Sequence, residues 1–289
     1  MRFRIPITIA LFSVTTTVMA IDLAPLWDFN KPDVSEQRLR AALAGASSDV
    51  ALILQTQIAR TYGLRKDFSK AQDILKSVAK DVPTAGAEAR TRYALELGRT
   101  YASATHPPDS QTAENRKLAR ASYEEALAIA KSAQLDDLAI DAIHMLAFVD
   151  TAPVDQLKWG QEALAVALAS TQPKARNWEA SIRNNIGYAM HQLGRFDEAL
   201  VQFRLAVALR ERGTNAESTR VAHWMVAWTL RALGKMDEAL EIQLRLEREC
   251  DAAKKPDRYV FEELEILYRA RGDAPRAKHY ADLVKSTPG

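Results

Sequence analysis

The sequence contains a single cysteine, Cys250, in 289 residues. One cysteine excludes an internal disulfide, so the fold must be held together by side-chain packing. Glycine and proline are also scarce, at 11 residues each, which argues against long flexible linkers. A lone cysteine among Leu, Glu and Arg residues is typical of a partly buried packing residue, and a reactive nucleophile is the alternative.

The sequence also lacks an excess of charge of either sign. The whole chain has 39 basic and 37 acidic residues, and two of the basic ones, Arg2 and Arg4, lie within residues 1–20. The remainder therefore has 37 basic and 37 acidic residues. A chain without net charge has no general electrostatic attraction for nucleic acid or for an anionic membrane, and neither is expected as a partner.

Long hydrophobic runs are missing as well, and the one apolar stretch lies at residues 5–18. This stretch is too short to span a bilayer comfortably. It follows two arginines and ends in Val18-Met19-Ala20, which is the layout of a secretory signal peptide. We therefore expect cleavage after Ala20, a periplasmic or secreted protein, and no stable membrane insertion afterwards. An uncleaved N-terminal anchor is the alternative.

No pattern of catalytic or metal-binding residues is evident. None of the histidines has a second His or Cys at metal-ligand spacing, and no Gly-x-Ser-x-Gly motif occurs. Gly234-Lys235 lacks the other residues of a phosphate-binding loop. We expect no metal, no cofactor and no enzymatic activity, although a triad assembled from distant residues stays open. The five histidines are His106, His144, His191, His223 and His279.

An internal repeat is the most informative feature of the sequence. Leu193–Leu200 recurs 40 residues later as Leu233–Leu240, with Asp-Glu-Ala-Leu identical, and a weaker copy begins at Arg271. Each copy lies between two helical patterns, and its glycine suits a left-handed turn that ends the first helix. Asp197 and Asp237 fall where a second helix would begin and its first N–H groups need acceptors. The repeating unit is therefore a helix–turn–helix pair.

These units resemble the tetratricopeptide repeat family. The pattern covers residues 52–80, 91–133, 137–170, 180–213, 217–253 and 258–286. The sequence departs from it where Arg183 and His223 replace the usual Trp and where Gln243 replaces an aromatic residue. The unit at 180–213 matches best, through Ile186, Gly187, Met190, Gly194, Phe196, Ala199, Phe203, Ala206 and Val207.

The resemblance implies an all-α fold, a right-handed superhelical solenoid of helix–turn–helix repeats. We expect a signal peptide at residues 1–20, an N-terminal extension at 21–50 with a short helix near Val34–Ala44, and a repeat domain of about six helical pairs at 51–286. Small residues such as Gly187 would let paired helices approach closely, with Phe203 filling the gap.

In this family the first helix of each pair lines a concave groove that binds peptides or partner helices. Asn184 and Tyr188 are four residues apart, and Trp224 and Trp228 repeat that spacing one unit later. Amide and aromatic side chains suit an extended peptide. The candidate groove residues are Arg60, Arg99, His144, Phe148, Asn184, Tyr188, His191, Trp224, Trp228 and Arg231.

Two of these assignments have structural alternatives. Trp224 and Trp228 would serve equally well as packing between neighbouring helices, because aromatic residues at helical spacing are usually core. Arg60 and Arg99 have the alternative more usual for surface arginines, which is to be solvated or ion-paired within the solenoid.

The leading functional hypothesis is a non-catalytic scaffold or adaptor in the bacterial cell envelope that binds a protein or peptide ligand in the groove. One alternative is a structural subunit of an envelope assembly or secretion complex, bound through its convex surface. Another is a regulator that senses a peptide by closing around it.

Overall fold

The computed structural model describes residues 21–287, and the expected signal peptide at 1–20 lies outside them. This part of the chain contains α-helices and three short 3₁₀ helices, and no strand. The 3₁₀ helices are Ala24–Leu26, Ala79–Thr84 and Pro108–Ser110. The α-helices are α1 (Pro32–Ala42), α2 (Ser48–Leu64), α3 (Phe68–Val78), α4 (Ala87–Tyr101), α5 (Ala113–Ser132), α6 (Asp136–Val149), α7 (Pro153–Ala169), α8 (Pro173–Arg176), α9 (Glu179–Gln192), α10 (Phe196–Arg210), α11 (Ala216–Ala232), α12 (Met236–Ala252), α13 (Arg258–Ala270) and α14 (Ala274–Ser286).

Twelve of these helices form six consecutive pairs, with α1 before the first pair and the short α8 between α7 and α9. Each helix packs mainly against its neighbours in the chain: α9 contacts α7 and α10, and α11 contacts α10 and α12. A helical pair cannot bury its apolar stripe alone, so stacked pairs share a continuous core. The all-α solenoid predicted from the repeats is confirmed.

The turn between the helices of a pair follows the predicted chemistry, with one correction. Gly194 and Gly234 have φ of 73° and 76°, a left-handed conformation that costs glycine little. The helices that follow begin one residue before Asp197 and Asp237. These aspartates are therefore not N-caps but lie in the first helical turn, where their charge favours the helix dipole.

Close helix packing depends on glycine at two equivalent places in the core. A Cβ on Gly187 would lie 2.7 Å from the ring of Phe203, which is fully buried. A Cβ on Gly98 would lie 2.5 Å from the ring of Tyr123, whose hydroxyl donates to the carbonyl of Ala102 at 2.6 Å. The predicted contact between Gly187 and Phe203 is thus present. The single cysteine, Cys250, is buried on α12.

The segment that precedes α1 links two distant parts of the solenoid. The Trp27 indole donates to the Gln57 side chain of α2 at 3.2 Å. At the other end of the segment, the Asp22 carboxylate lies 3.8 Å from the Lys174 ammonium of α8. This N-terminal segment, residues 22–31, therefore runs from the first helical pair towards the start of α9.

Among residues 21–287, no helix combines the length and apolar character needed to cross a bilayer.

Candidate functional site

All ten predicted groove residues lie on the first helices of their pairs, on α2, α4, α6, α9 and α11. The structure gathers them into two groups. Arg60, Arg99, His144 and Phe148 line one cleft between α2, α4 and α6. The remaining residues lie on α9 and α11, and four of them are in ring-to-ring contact through Trp228.

The first group is organised by a network of four charged side chains. Arg99 contacts Glu96 at 2.6 Å and Asp141 at 2.5 Å, and Arg60 contacts Glu96 at 3.1 Å. Glu96 is only 3% exposed. Burial opposes ionisation of Asp141, but the adjacent Arg99 guanidinium outweighs it and holds the pKa of this carboxyl below its usual value. Arg60 and Arg99 are thus ion-paired within the solenoid, and the network carries no net charge.

The four side chains of the network line a cleft of about 780 Å³, here named the charged cleft. His144 and Phe148 also line the charged cleft, and they line a second, mainly apolar cleft of about 720 Å³ between α6, α7 and α9. The two side chains are in edge-to-face contact, with ring centroids 5.1 Å apart. The apolar cleft is lined by Ile143, His144, Ala147, Phe148, Gln156, Trp159, Gly160, Ala163, Ile182, Asn185 and Tyr188.

The second group forms a row of stacked rings across α9 and α11. Trp228 lies with its ring centroid 3.4 Å from His191, 5.7 Å from Trp224 and 6.0 Å from Tyr188. The Trp224 indole donates to the carbonyl of Tyr259 at 3.1 Å. Trp224 packs against the core as a partly buried side chain, whereas Tyr188 is 43% exposed. Within this row, Trp224 therefore contributes to the packing of the helices, and Tyr188 remains accessible to a ligand.

Arg231 lies beside this row and is neutralised by the next repeat. Its guanidinium makes a bidentate contact with the Glu263 carboxylate at 2.7 and 2.8 Å, and Glu263 is buried. A bidentate contact between a guanidinium and a carboxylate is among the strongest hydrogen-bonded ion pairs in proteins. Arg231 therefore has a carboxylate partner inside the chain, as Arg99 does.

A third cleft lies between α9, α10 and α11, and polar side chains dominate it. It measures about 990 Å³ and shares Asn185 with the apolar cleft. Asn185 also contacts His144, with Nδ2 to Nδ1 at 3.3 Å. We name this third cleft the amide cleft, after the side-chain amides of its four asparagines. Its lining comprises Asn30, Ala180, Ser181, Asn184, Asn185, Ala206, Arg210, Asn215, Glu217, Ser218, Val221 and Ala222.

Several residues of these clefts were absent from the sequence-based set. Glu96 precedes Arg99 by three residues, a spacing at which opposite charges meet on one helix face, so a local signal existed. Asp141 is 42 residues away from Arg99, and no sequence pattern connects them. Arg210 lies on α10, a second helix, and Asn30 belongs to the N-terminal segment, so the rule that first helices line the groove excluded both.

No group of three or more His, Cys, Asp or Glu side chains within the described residues is arranged to hold a metal ion.

Comparisons with known proteins agree with this architecture. Residues 178–248 match the family model described as tetratricopeptide repeat. A search of curated proteins gave no match.

Solved structures provide further similarity. One is a signal transduction ATPase with numerous domains from Pyrococcus horikoshii, which has a tetratricopeptide repeat sensor; it is 14% identical with a TM-score of 0.67, and the match covers 88% of this chain and 38% of the ATPase. The chain thus spans well under half of that protein. Another is a Rap protein complexed with Competence and Sporulation Factor, 18% identical with a TM-score of 0.57, covering 87% of this chain and 69% of Rap.

A third similar structure is a kinesin-light-chain candidate from Podospora anserina with nearly identical tetratricopeptide-like repeats, 19% identical with a TM-score of 0.53, covering 73% of this chain and 100% of the other. At these identities the likeness concerns the fold alone. The family match thus identifies residues 178–248 as tetratricopeptide repeats, and the same arrangement of paired helices continues through the rest of the described residues.

Proposed function

We propose that this protein is a non-catalytic scaffold or adaptor that binds a peptide or an extended protein segment along its concave surface. The observation that carries the proposal is the continuity of the three clefts. The charged cleft shares His144 and Phe148 with the apolar cleft, which in turn shares Asn185 with the amide cleft. An extended peptide needs such a continuous surface, because its main chain and alternate side chains contact the groove over many residues.

The chemistry of the clefts supports a peptide over a small rigid ligand. The ring of Tyr188 and the partly buried Trp228 offer wide apolar surfaces, and the adjoining amide cleft offers asparagine side chains. Aromatic side chains contribute large contact area, and amides pair with the donors and acceptors of a peptide main chain. Rap, which shares the fold, forms a complex with Competence and Sporulation Factor, and the Pyrococcus horikoshii ATPase has a tetratricopeptide repeat sensor. Both descriptions are compatible with a ligand-binding solenoid.

We also propose that the protein acts outside the cytoplasm, in the periplasm or as a secreted protein. The support is the signal-peptide layout of residues 1–20. N-terminal sequencing of protein isolated from the envelope fraction tests this: a mature chain beginning at Ile21 is the expected result. A chain that retains its first residues in a membrane pellet would favour an N-terminal anchor instead.

Photocrosslinking from the groove tests the binding function. A photoreactive residue at position 188 is expected to capture a discrete partner in cells, and the double variant Trp224→Ala with Trp228→Ala is expected to lose it. Circular dichroism melts of that variant must show that the solenoid stays folded. No adduct from position 188 in a folded, exported protein would contradict the proposal.

One observation favours a second candidate, a structural subunit bound through the convex side. Large apolar side chains are exposed on the second helices α7 and α10, and Val201 is 55% exposed. A photoreactive residue at position 201 therefore serves as the matched probe. Adducts from position 201 but not from position 188 would support the structural subunit and reject the groove-binding adaptor. The exposed side chains are Val154, Leu168, Val201 and Leu205.

A further inference from the structure

A fourth cavity lies between α11, α12 and α13, where the fifth helical pair meets the sixth. It shares Val221 with the amide cleft and no residue with the charged cleft or the apolar cleft. Its volume of about 640 Å³ lies within the range of about 300–1,000 Å³ that is common for small-molecule pockets. We name it the inter-repeat cavity, and its lining comprises Arg220, Val221, Trp224, Met225, Leu246, Cys250, Asp257, Tyr259 and Val260.

Two residues of opposite charge, Arg220 and Asp257, line the inter-repeat cavity, and the other seven lining residues are uncharged. Both side chains are partly buried. In the part of the chain that the structure describes, neither forms an ion pair, with each other or with a third residue. Asp257 Oδ1 accepts the backbone N–H of Tyr259 at 2.9 Å, which leaves Oδ2 available to a ligand.

Nearby acidic side chains are engaged with other basic residues. Glu217, three residues before Arg220, lies 3.8 Å from the Lys255 ammonium. Glu249 lies 3.9 Å from the Arg245 guanidinium. None of these four partners lines the inter-repeat cavity. The cavity therefore presents one positive and one negative charge, and neither has a counter-ion within residues 21–287.

The two charges restrict the chemistry of a ligand. A carboxylate alone would pair with Arg220 but would be repelled by Asp257, and an ammonium alone would meet the opposite situation. An uncharged ligand would exclude water from both charges without replacing it, which costs free energy. A ligand that carries both charges pairs with both residues through charge-assisted hydrogen bonds, the stronger class.

We propose that the inter-repeat cavity binds a free apolar α-amino acid, such as leucine or methionine. Its α-carboxylate binds Arg220, and its α-ammonium donates to Asp257. Its side chain packs against the apolar lining that Met225 and Leu246 provide, which removes apolar surface from water. This site goes beyond the peptide-binding function, because an α-ammonium and an α-carboxylate share one carbon in a free amino acid and not in a peptide.

Four small probes test the site on the full-length mature protein labelled with ¹⁵N. They are L-leucine and three compounds that each lack one of its features: 4-methylpentanoic acid lacks the ammonium, 3-methylbutan-1-amine lacks the carboxylate, and glycine lacks the apolar side chain. Binding is followed by NMR through the indole signal of Trp224, which is assigned with Trp224→Phe. We expect a Kd on the order of 1 mM for leucine and binding at least about ten-fold weaker for each of the others.

Variants assign the effect to the two charges. Arg220→Gln is expected to weaken leucine about ten-fold, to the level of 3-methylbutan-1-amine, and not to weaken that amine. Asp257→Asn is expected to bring leucine to the level of 4-methylpentanoic acid, and asparagine keeps the N-cap of α13. Arg248→Gln is the matched control, because Arg248 is exposed on α12 and does not line the cavity. Circular dichroism verifies that each variant is folded.

Several outcomes would overturn the amino-acid site. They are no binding of leucine at about 10 mM, equal binding of leucine and either singly charged probe, and leucine affinity that survives both Arg220→Gln and Asp257→Asn. A leucine-dependent shift of the Trp159 indole instead of the Trp224 indole would place the ligand in the apolar cleft and would also overturn it.

The two proposals fail separately. Crosslinks from position 188 without leucine binding would leave the peptide-binding function standing alone. Leucine binding with the expected variant pattern, in a protein that gives no crosslink from position 188, would leave the amino-acid site standing alone.

Discussion

The imidazole of His191 lies nearly parallel to the indole of Trp228, with ring centroids 3.4 Å apart and planes inclined by 14°. Burial and the positive charge of Arg231 lower the pKa of His191 to about 4. Its Nε2 is buried and has no hydrogen-bond partner. The ring is thus uncharged near neutral pH and packs in that form against the Trp228 indole.

This relationship predicts a pH dependence of stability. The folded-state pKa of His191 lies below the reference value of 6.5, so as the pH falls the unfolded chain takes up a proton first. The contribution of uncharged His191 to the free energy of unfolding is therefore complete above pH 6.5, and it is lost as the pH falls towards 4. Allowing for partial exposure, we expect a loss of about 1–2 kcal/mol from this residue. Urea denaturation at pH 7.5 and 4.5 should show a smaller loss for His191→Gln than for the wild type. Equal losses would contradict the assignment.

Gln243 predicts a stabilising substitution. It occupies the place of Phe203 one repeat later, is fully buried, and both polar atoms of its amide lack partners. Unmet buried donors and acceptors cost about 1–3 kcal/mol, so Gln243→Leu should raise the free energy of unfolding by an amount of this order. Urea denaturation measures it, and a destabilised variant would show that the amide is satisfied in solution.

A paired substitution tests the repeat register behind this prediction. Ala227 stands 40 residues after Gly187, just as Gln243 stands 40 residues after Phe203. Gln243→Phe alone should be destabilising, because the Cβ of Ala227 occupies the space that Gly187 leaves for its ring. Adding Ala227→Gly should recover most of the loss. Strict additivity of the two changes would reject the proposed equivalence.

Gly187→Ala should destabilise the core. The new Cβ would lie 2.7 Å from the fully buried Phe203 ring, which has no free space to move into. Overpacking of this kind costs about 1–3 kcal/mol. Gly63→Ala is the matched control, since a Cβ there meets nothing within 4 Å and alanine favours the helix by about 1 kcal/mol. Thermal melts should move in opposite directions, and a shared direction would contradict the packing argument.

Arg99→Met should be among the most damaging single changes in the groove. It leaves the carboxylates of Glu96 and Asp141 without their main counter-ion, and removal of one partner from a buried charged network costs about 3–5 kcal/mol. Arg92→Met on the same helix removes the ion pair with Glu88 at 2.9 Å. These two side chains are partly exposed and lie four residues apart on one helix, so the free energy of unfolding should fall by less than about 1 kcal/mol. Comparable losses in chemical denaturation would show that the network is not electrostatically important.

The placement of the groove residues was predictable because position within a repeat fixes the helix and its face. All ten candidates lie on first helices, and Trp224 and Trp228 share a face with the spacing expected for one helical turn. The aromatic row itself was only half predicted. The sequence placed Tyr188 and Trp228 one repeat apart, but their stacking depends on how closely α9 and α11 approach.

Two residues that line the amide cleft could not be predicted from the repeat pattern. Arg210 lies on a second helix, and Asn30 comes from the N-terminal segment, which has no repeat pattern. Their presence beside Asn184 follows from the curvature of the solenoid and from the path of residues 22–31. Neither quantity is encoded within one repeat.

The sequence alone determined the repeating helix pairs, the glycine turns and the face on which each candidate residue lies. These features depend on interactions within a few residues, where helical periodicity and backbone sterics act. Only the tertiary structure decided which arginines are neutralised. Arg99 meets a carboxylate 42 residues away and Arg231 one 32 residues away, whereas Arg210 meets none within residues 21–287. Such pairs depend on the distances and angles between helices that are far apart in the chain, and Coulomb interactions vary steeply with those distances.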